Sequence, residues 1–203
     1  MSKTNNQKTI DTYKSKFNEY VQGTTKAVSG DAKKWIDDSL EGLDHSTTIL
    51  ELGSGFGRDA DYISSCGYTV KCSDVVEEFV RLLQGQDKDA ILLNAIADDM
   101  PNGFDLIIAN AVLLHFTRDE TRKVCKKIYE ALNARGRFAL RLKKGDGEEW
   151  LKVKIGGDRY FCYWQPEDIE KVLKEAGFSK VVMNVGEKTR YSQAGWLGIV
   201  AYK

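Results

Sequence analysis

Apolar positions near the start of the chain, Ile10, Tyr13, Phe17, Tyr20 and Val21, recur at helical spacing and predict an amphipathic helix with one aromatic face. Asp31 to Leu43 carries a second helical pattern. From Thr47 onward the period alternates. Strand-like runs fall at Thr47 to Leu52, Tyr68 to Ser73 and Ile91 to Asn94, with helical stretches after Gly57 and from Glu77 to Leu83 between them. Strands separated by helices predict a parallel sheet with crossover helices on its faces.

The second half continues the pattern with a strong strand at Phe104 to Ala109 and a long helix from Arg118 to Leu132, ended by Asn133 to Gly136. A strand follows at Arg137 to Leu142. Gln165-Pro166-Glu167 opens another helix, which Gly177 closes. The last two runs, Lys180 to Val185 and Trp196 to Tyr202, have strand composition and no helix between them, so they are expected to pair antiparallel through the Gly186 to Gly195 connection. The expected fold class is therefore α/β, with a seven-stranded, mostly parallel sheet and an antiparallel last strand.

Length and composition narrow the picture. At 203 residues, with two prolines and no repeat or linker, the chain reads as one domain over 1–203, a helical cap over 1–45 preceding the core over 46–203. Lysine plus arginine equals aspartate plus glutamate, 30 against 30, so the overall charge gives no long-range pull on a phosphate backbone, and no nucleic-acid partner is expected. No apolar run approaches the roughly 20 residues of a membrane span, and the N-terminus lacks a secretory core, so no membrane partner and a cytoplasmic location are expected. Cys66, Cys72, Cys125 and Cys162 stand apart without paired spacing, which predicts buried or half-buried free thiols and no metal site.

The chemistry concentrates in ILELGSGFG. Gly53, Gly55 and Gly57 follow an apolar strand and precede a helix, where missing side chains permit a tight turn and close approach of a ligand to the backbone. Asp74 ends the next strand, about 20 residues beyond the first glycine, where an acid can accept both hydrogen bonds of a ribose diol. Together these predict an adenosine-containing cofactor. The dinucleotide fingerprint spaces its third glycine or alanine one residue further on than Gly57, which disfavours a nicotinamide-dependent reductase and keeps it as a rival reading.

These residues resemble the class I methyltransferases, in which an acidic-apolar-Gly-x-Gly-x-Gly loop binds the methionine part of S-adenosylmethionine and the acid after the second strand binds its ribose. Glu51, Gly53, Gly55, Gly57 and Asp74 match position by position. GSGFGRDADYISSCGYTV, ANAVLLHFTRDE, FALRLKKGDGE and RYFCYW are similar to segments of small bacterial tellurite-resistance-like methyltransferase-domain proteins, with Asn110, Leu113, Leu114, His115, Lys143, Gly145, Arg159, Tyr160 and Tyr163 in matching places. The resemblance spans Tyr13 to the C-terminus. It implies a Rossmann-like three-layer sandwich, S-adenosylmethionine as cofactor and methyl transfer to a small-molecule acceptor it does not name. A cofactor-binding or regulatory module without turnover is the rival from another class.

Within that resemblance, Gly53, Ser54 and Gly55 would hold the methionine part, Asp74 the ribose, and Val75 would pack against adenine. Where many relatives carry an acid for the adenine amino group this sequence has Ile96, leaving recognition to backbone groups near Ala95 to Ala97 or to Asp98. Arg58 can meet the cofactor carboxylate or pair with Asp59. Asn110, ending the fourth strand, is expected in the site, oriented to the cofactor's amino-acid end or the acceptor. Tyr13 is read either as a cover over the cofactor or as plain packing. His115 is a candidate base set against a packed, hydrogen-bonded role, and Tyr160 a candidate catalytic side chain set against core packing.

Overall fold

The computed structural model describes residues 3–152, 155–186 and 195–203. Its main sheet has the strand order β3-β2-β1-β4-β5-β9-β8, from β1 (Ile49–Leu52), β2 (Val70–Asp74), β3 (Ala90–Leu92), β4 (Phe104–Asn110), β5 (Leu132–Lys143), β8 (Lys180–Val185) and β9 (Trp196–Tyr202). Pairing is parallel from β3 through to β5, and β9 is antiparallel to both β5 and β8. The final hairpin pairs Lys180 with Tyr202 and Val185 with Leu197, as the composition of the two runs predicts. Most of its expected connection, residues 187–194, lies outside the described residues.

Alternate residues of the central strands enter different cores. Leu106 and Ile108 pack with Trp35 and Ile36 of α3 (Gly30–Leu40), Ala60 and Ile63 of α4 (Arg58–Ser65) and Leu83 of α5 (Glu77–Gln84). Ile107 and Ala109 face the other way, toward Val124 and Ile128 of α6 (Arg118–Ala131) and Ile169 and Leu173 of α7 (Pro166–Ala176). A strand buried on both faces between helices is the mark of a three-layer α/β sandwich. The chain runs β1 to β3 toward one edge and then returns to place β4 on the other side of β1. The carboxyl ends of β1, β2 and β4 therefore border the crevice where ligands of open α/β sheets bind.

Several local features differ from the expectations, among them the start of β5, at Leu132 in place of Arg137. The N-terminal helix is two helices, α1 (Asn5–Ser15) and α2 (Phe17–Gly23), divided at Lys16, whose φ of −112° and ψ of 24° leave the helical region. The division falls where the partner changes: Thr9, Thr12 and Tyr13 bond to residues 158–160 and His115, while Phe17 and Tyr20 pack against Phe79 of α5. The second helix ends at Leu40, three residues early, and Tyr68 donates its hydroxyl to the carbonyl of Leu43 beyond it. A ribbon of β6 (Glu148–Leu151) and β7 (Arg159–Cys162), pairing Glu148 with Cys162 and Leu151 with Arg159, was not among the predicted strands. β6 is largely exposed, so no alternation of apolar and polar residues marks it.

Candidate active site

The glycine loop is fastened to the end of β2 before any ligand is considered. Ser54 N–H donates to the Ser73 carbonyl at 2.8 Å, the Ser73 hydroxyl donates to the Glu51 carbonyl at 2.7 Å, and Gly55 N–H donates to Asp74 Oδ2 at 2.9 Å. This requires φ of +66° at Gly53 and +56° at Gly55, a region that disfavours residues with a Cβ. A Cβ on Gly53 would also stand 2.5 Å from a methyl of Val112. The loop thus needs glycine twice over, for conformation and for contact.

Beyond it lies a cavity of about 940 Å³, bordered by Gly53, Gly55, Arg58, Asp74 and Val75 and by His115, Lys143, Arg159 and Phe161. Asn6, Thr9, Ile10 and Tyr13 of α1 and Tyr20 of α2 complete its wall, together with Asn110 and Ala111 at the end of β4. Ala111 has a φ of +60°, uncommon for a residue with a Cβ and of the kind that clusters at ligand sites.

Asp74 is the acid among the described residues lining this cavity. Burial pushes its carboxyl up to about 6, against the pull of the backbone N–H groups of Val76 and Gly55. Val76 N–H meets Oδ1 at 2.8 Å and Gly55 N–H meets Oδ2, so each oxygen keeps a second lone pair for a hydroxyl donor. That is the acceptor pair a ribose diol needs, and the residues present therefore fit an adenosine cofactor. Glu51 does not line the cavity. Its Oε2 is buried without a hydrogen-bond partner, and burial, then the neighbouring Asp59, push the carboxyl up to about 8, so it holds a proton at neutral pH. Ser54 is likewise set back from the cavity, its hydroxyl accepting from Ser73 N–H at 3.2 Å.

Arg58 and Asn110 both border the cavity and both bind the buried Asp59: Arg58 Nε meets Oδ1 at 2.7 Å and Asn110 Nδ2 meets Oδ2 at 2.6 Å. The two readings of Arg58 are thus compatible, since one nitrogen engages Asp59 while the residue still faces the crevice. Val75 borders the cavity. Ala97 and Asp98 do not: Asp98 accepts from Asn94 N–H at 2.8 Å, Asn94 Oδ1 accepts from the backbone of Ile96 and Ala97, and Lys127 Nζ binds the carbonyls of Ile96 and Asp98. Residues 94–98 thus form a turn held by Asn94, Asp98 and Lys127, with the Asp98 carboxylate used as a turn cap.

Also in the lining, His115 Nδ1 lies 2.7 Å from the carbonyl of Tyr160 and Nε2 lies 2.9 Å from the Tyr13 hydroxyl. A carbonyl only accepts, so Nδ1 carries the proton and Nε2 accepts from Tyr13 O–H. Arg159 Nη1 donates to the same Tyr13 oxygen at 3.0 Å. Burial, with Arg159 and Lys143 nearby, pushes His115 down to about 3, while its bond to the Tyr160 carbonyl pulls the other way. The imidazole is therefore neutral, and a proton placed on it would be costly.

Tyr160 enters this arrangement through its backbone. Its ring is buried outside the cavity lining and packs edge-on to Trp150 at 5.8 Å, which corrects the expectation of a Tyr160 side chain in the site. Strand alternation explains the correction, because Arg159 and Phe161 border the cavity and the residue between them points to the opposite face. No local pattern in the sequence signals the bond from Arg159 to Tyr13. The two residues lie 146 positions apart, and α1 must dock on β7 before they meet.

Comparisons with known proteins give the family and the fold. Residues 50–138 match the family model described as a methyltransferase domain. The phosphoethanolamine N-methyltransferase of Plasmodium falciparum is 30% identical over 181 residues, covering 82% of this chain and 67% of the relative. Among solved structures, phosphoethanolamine N-methyltransferase 2 of Haemonchus contortus, in complex with phosphomonomethylethanolamine and S-adenosylhomocysteine, has a TM-score of 0.76 at 13% identity, covering 100% of this chain and 60% of that one. A TehB-like S-adenosylmethionine-dependent methyltransferase from Corynebacterium glutamicum has a TM-score of 0.66 at 19% identity, covering 96% and 97%. With the glycine loop, the ribose-competent Asp74 and the reversed β9 on one sheet, the chain belongs to the class I methyltransferases, enzymes whose methyl donor is S-adenosylmethionine.

Proposed function

We propose that this methyltransferase acts on a small acceptor carrying an anionic group, with the acceptor bound between His115, Lys143 and Arg159. The observation that carries the reading is the pair of cations, Lys143 and Arg159, in the lining of the cavity. Lys143 Nζ sits 4.6 Å and the Arg159 guanidinium 5.1 Å from the centre of the Phe161 ring, and both residues border the cavity. Desolvation, and then the proximity of Arg159, lower the pKa of Lys143. Two like charges drawn together in a partly dry cavity favour a ligand with negative charge. Two of the similar proteins are phosphoethanolamine methyltransferases, and phosphoethanolamine unites an anion with a methylatable nitrogen.

S-adenosylmethionine supplies the methyl group as an electrophile, open to direct displacement by an acceptor lone pair. The residues of this chain act chiefly by placement. Gly53, Gly55, Asp74 and Val75 fix the donor, Lys143 and Arg159 fix the acceptor's anionic end, and α1 and α2 exclude water. Tyr13 holds its hydroxyl at the acceptor end because Arg159 donates to it and His115 Nε2 accepts from it. His115, with its pKa near 3, serves better as the anchor of Tyr13 than as a proton store, so an acceptor that arrives with its lone pair already free is preferred.

The test is a turnover assay with mass detection of product, comparing small amines that carry a phosphate or carboxylate with the same amines lacking it. The anionic members are expected to be methylated, and Lys143→Met and Arg159→Met to raise their KM by about tenfold or more, as loss of a charge-assisted hydrogen bond does. Turnover of the uncharged amines alone, or an unchanged KM in both variants, would overturn the anionic assignment.

A further inference from the structure

Asp59 is buried in the first turn of α4 and does not itself border the cavity. Its two oxygens are nonetheless divided between two residues that do, Arg58 at 2.7 Å and Asn110 at 2.6 Å. It is the covalent neighbour of the first and lies 51 positions from the second, so one carboxylate joins the start of α4 to the end of β4. A carboxylate accepts and an amide has two unlike ends. The end of Asn110 turned to Asp59 must therefore be its NH₂, and its Oδ1 is left as the acceptor for anything else. Arg58 spends Nε on Asp59, which leaves its two terminal nitrogens as donors for the cavity the residue borders.

The result is a fixed pattern beside the glycine loop, with cationic donors on one side and an amide oxygen on the other. That pattern complements a zwitterion whose carboxylate meets Arg58 and whose ammonium meets Asn110. We infer that Asp59 is a positioning residue that sets the polarity of Arg58 and Asn110 to recognise the amino-acid end of S-adenosylmethionine. The inference rests on the assignment of that cofactor to the crevice and adds a role for a side chain that never touches it. Without Asp59 the amide of Asn110 is free to turn its NH₂ toward the ammonium, and the guanidinium is free to leave the crevice.

Calorimetric titration of the full chain with two ligands tests it. S-adenosylhomocysteine carries the amino-acid end, and 5′-methylthioadenosine has the same nucleoside and sulfur without it. Asp59→Asn is expected to weaken S-adenosylhomocysteine by about tenfold or more, in line with losing a hydrogen bond to a charged group, and methylthioadenosine by less than about twofold. Equal weakening of both ligands, or of neither, would overturn the positioning role while leaving the cofactor assignment intact. Failure of the wild type to bind S-adenosylhomocysteine would overturn the assignment beneath it.

Should Asp59→Asn fold poorly, Asn110→Leu supplies a second reading, because it removes the amide and leaves the Arg58 to Asp59 pair. It should show the same discrimination between the two ligands, and equal loss of both would count against the zwitterion pattern. Where both variants fold, Asp59→Asn should weaken S-adenosylhomocysteine less in the Asn110→Leu background than in the wild type, because the share exerted through Asn110 is already lost, and an equal loss in both backgrounds would count against it.

Discussion

Cofactor binding should weaken in acid because of Asp74 alone, and the size of the effect follows from its surroundings. Burial holds the Asp74 carboxyl up to about 6 in the free protein. A ribose diol donates to the ionised form, so binding selects the carboxylate and returns the group toward its ordinary range. At pH 7 about nine in ten molecules carry the carboxylate, and at pH 5 about one in eleven do, so affinity should fall about tenfold between them. The proper probe is 5′-methylthioadenosine, followed by calorimetry from pH 5 to 7.5. It lacks the amino-acid end and so isolates the ribose contact, and His115, near 3, stays neutral across that range. Asp74→Asn should bind more weakly and show no slope. A wild-type affinity that is flat from pH 5 to 7.5 would refute the assignment of the ribose to a carboxyl with this raised pKa.

Two further outcomes follow from the loop. Gly53→Ala places a Cβ at φ +66° and 2.5 Å from Val112, so it should cost about 1–2 kcal/mol for the backbone alone, lowering the melting temperature by roughly 2–8 °C, and more for the contact. Adding Val112→Ala should recover the contact share, and a double variant no more stable than Gly53→Ala would show that the contact does not matter. Glu51 has a folded pKa of about 8, above the ordinary carboxylate value, so its contribution to stability is full at low pH and is lost as pH rises through 8. Glu51→Gln removes that loss. Melting curves from pH 5 to 9 should move in the variant's favour as pH rises, and curves that remain parallel would contradict the buried, protonated assignment.

What the sequence made legible shares one property: it is local. The loop from Glu51 to Gly57, Asp74 at the end of the next strand, and the helix boundaries at Pro166 and Gly177 are set by backbone conformation and short spacing, and the structure has them where the pattern puts them. The features that escaped depend on distant partners. Nothing within a few residues of Lys16 divides the first helix; the division serves one face that meets β7 and another that meets Phe79. The short β6 and β7 strands stabilise each other as a ribbon, and β7 alone fixes whether Arg159 and Phe161 or Tyr160 enter the cavity.

The same distinction separates donor from acceptor chemistry. The part of the crevice proposed for the donor is built from one turn and the end of β2, within residues 51 to 75, with Asn110 added from the end of β4. The site proposed for the acceptor gathers Tyr13 from α1, His115 after β4, Lys143 from β5 and Arg159 from β7, four segments brought together only when the N-terminal helix docks. A motif can hold the first arrangement because backbone geometry enforces it. The second is held by side chains meeting across up to 146 residues, and a single change in α1 can therefore alter acceptor choice without disturbing the loop that binds the methyl donor.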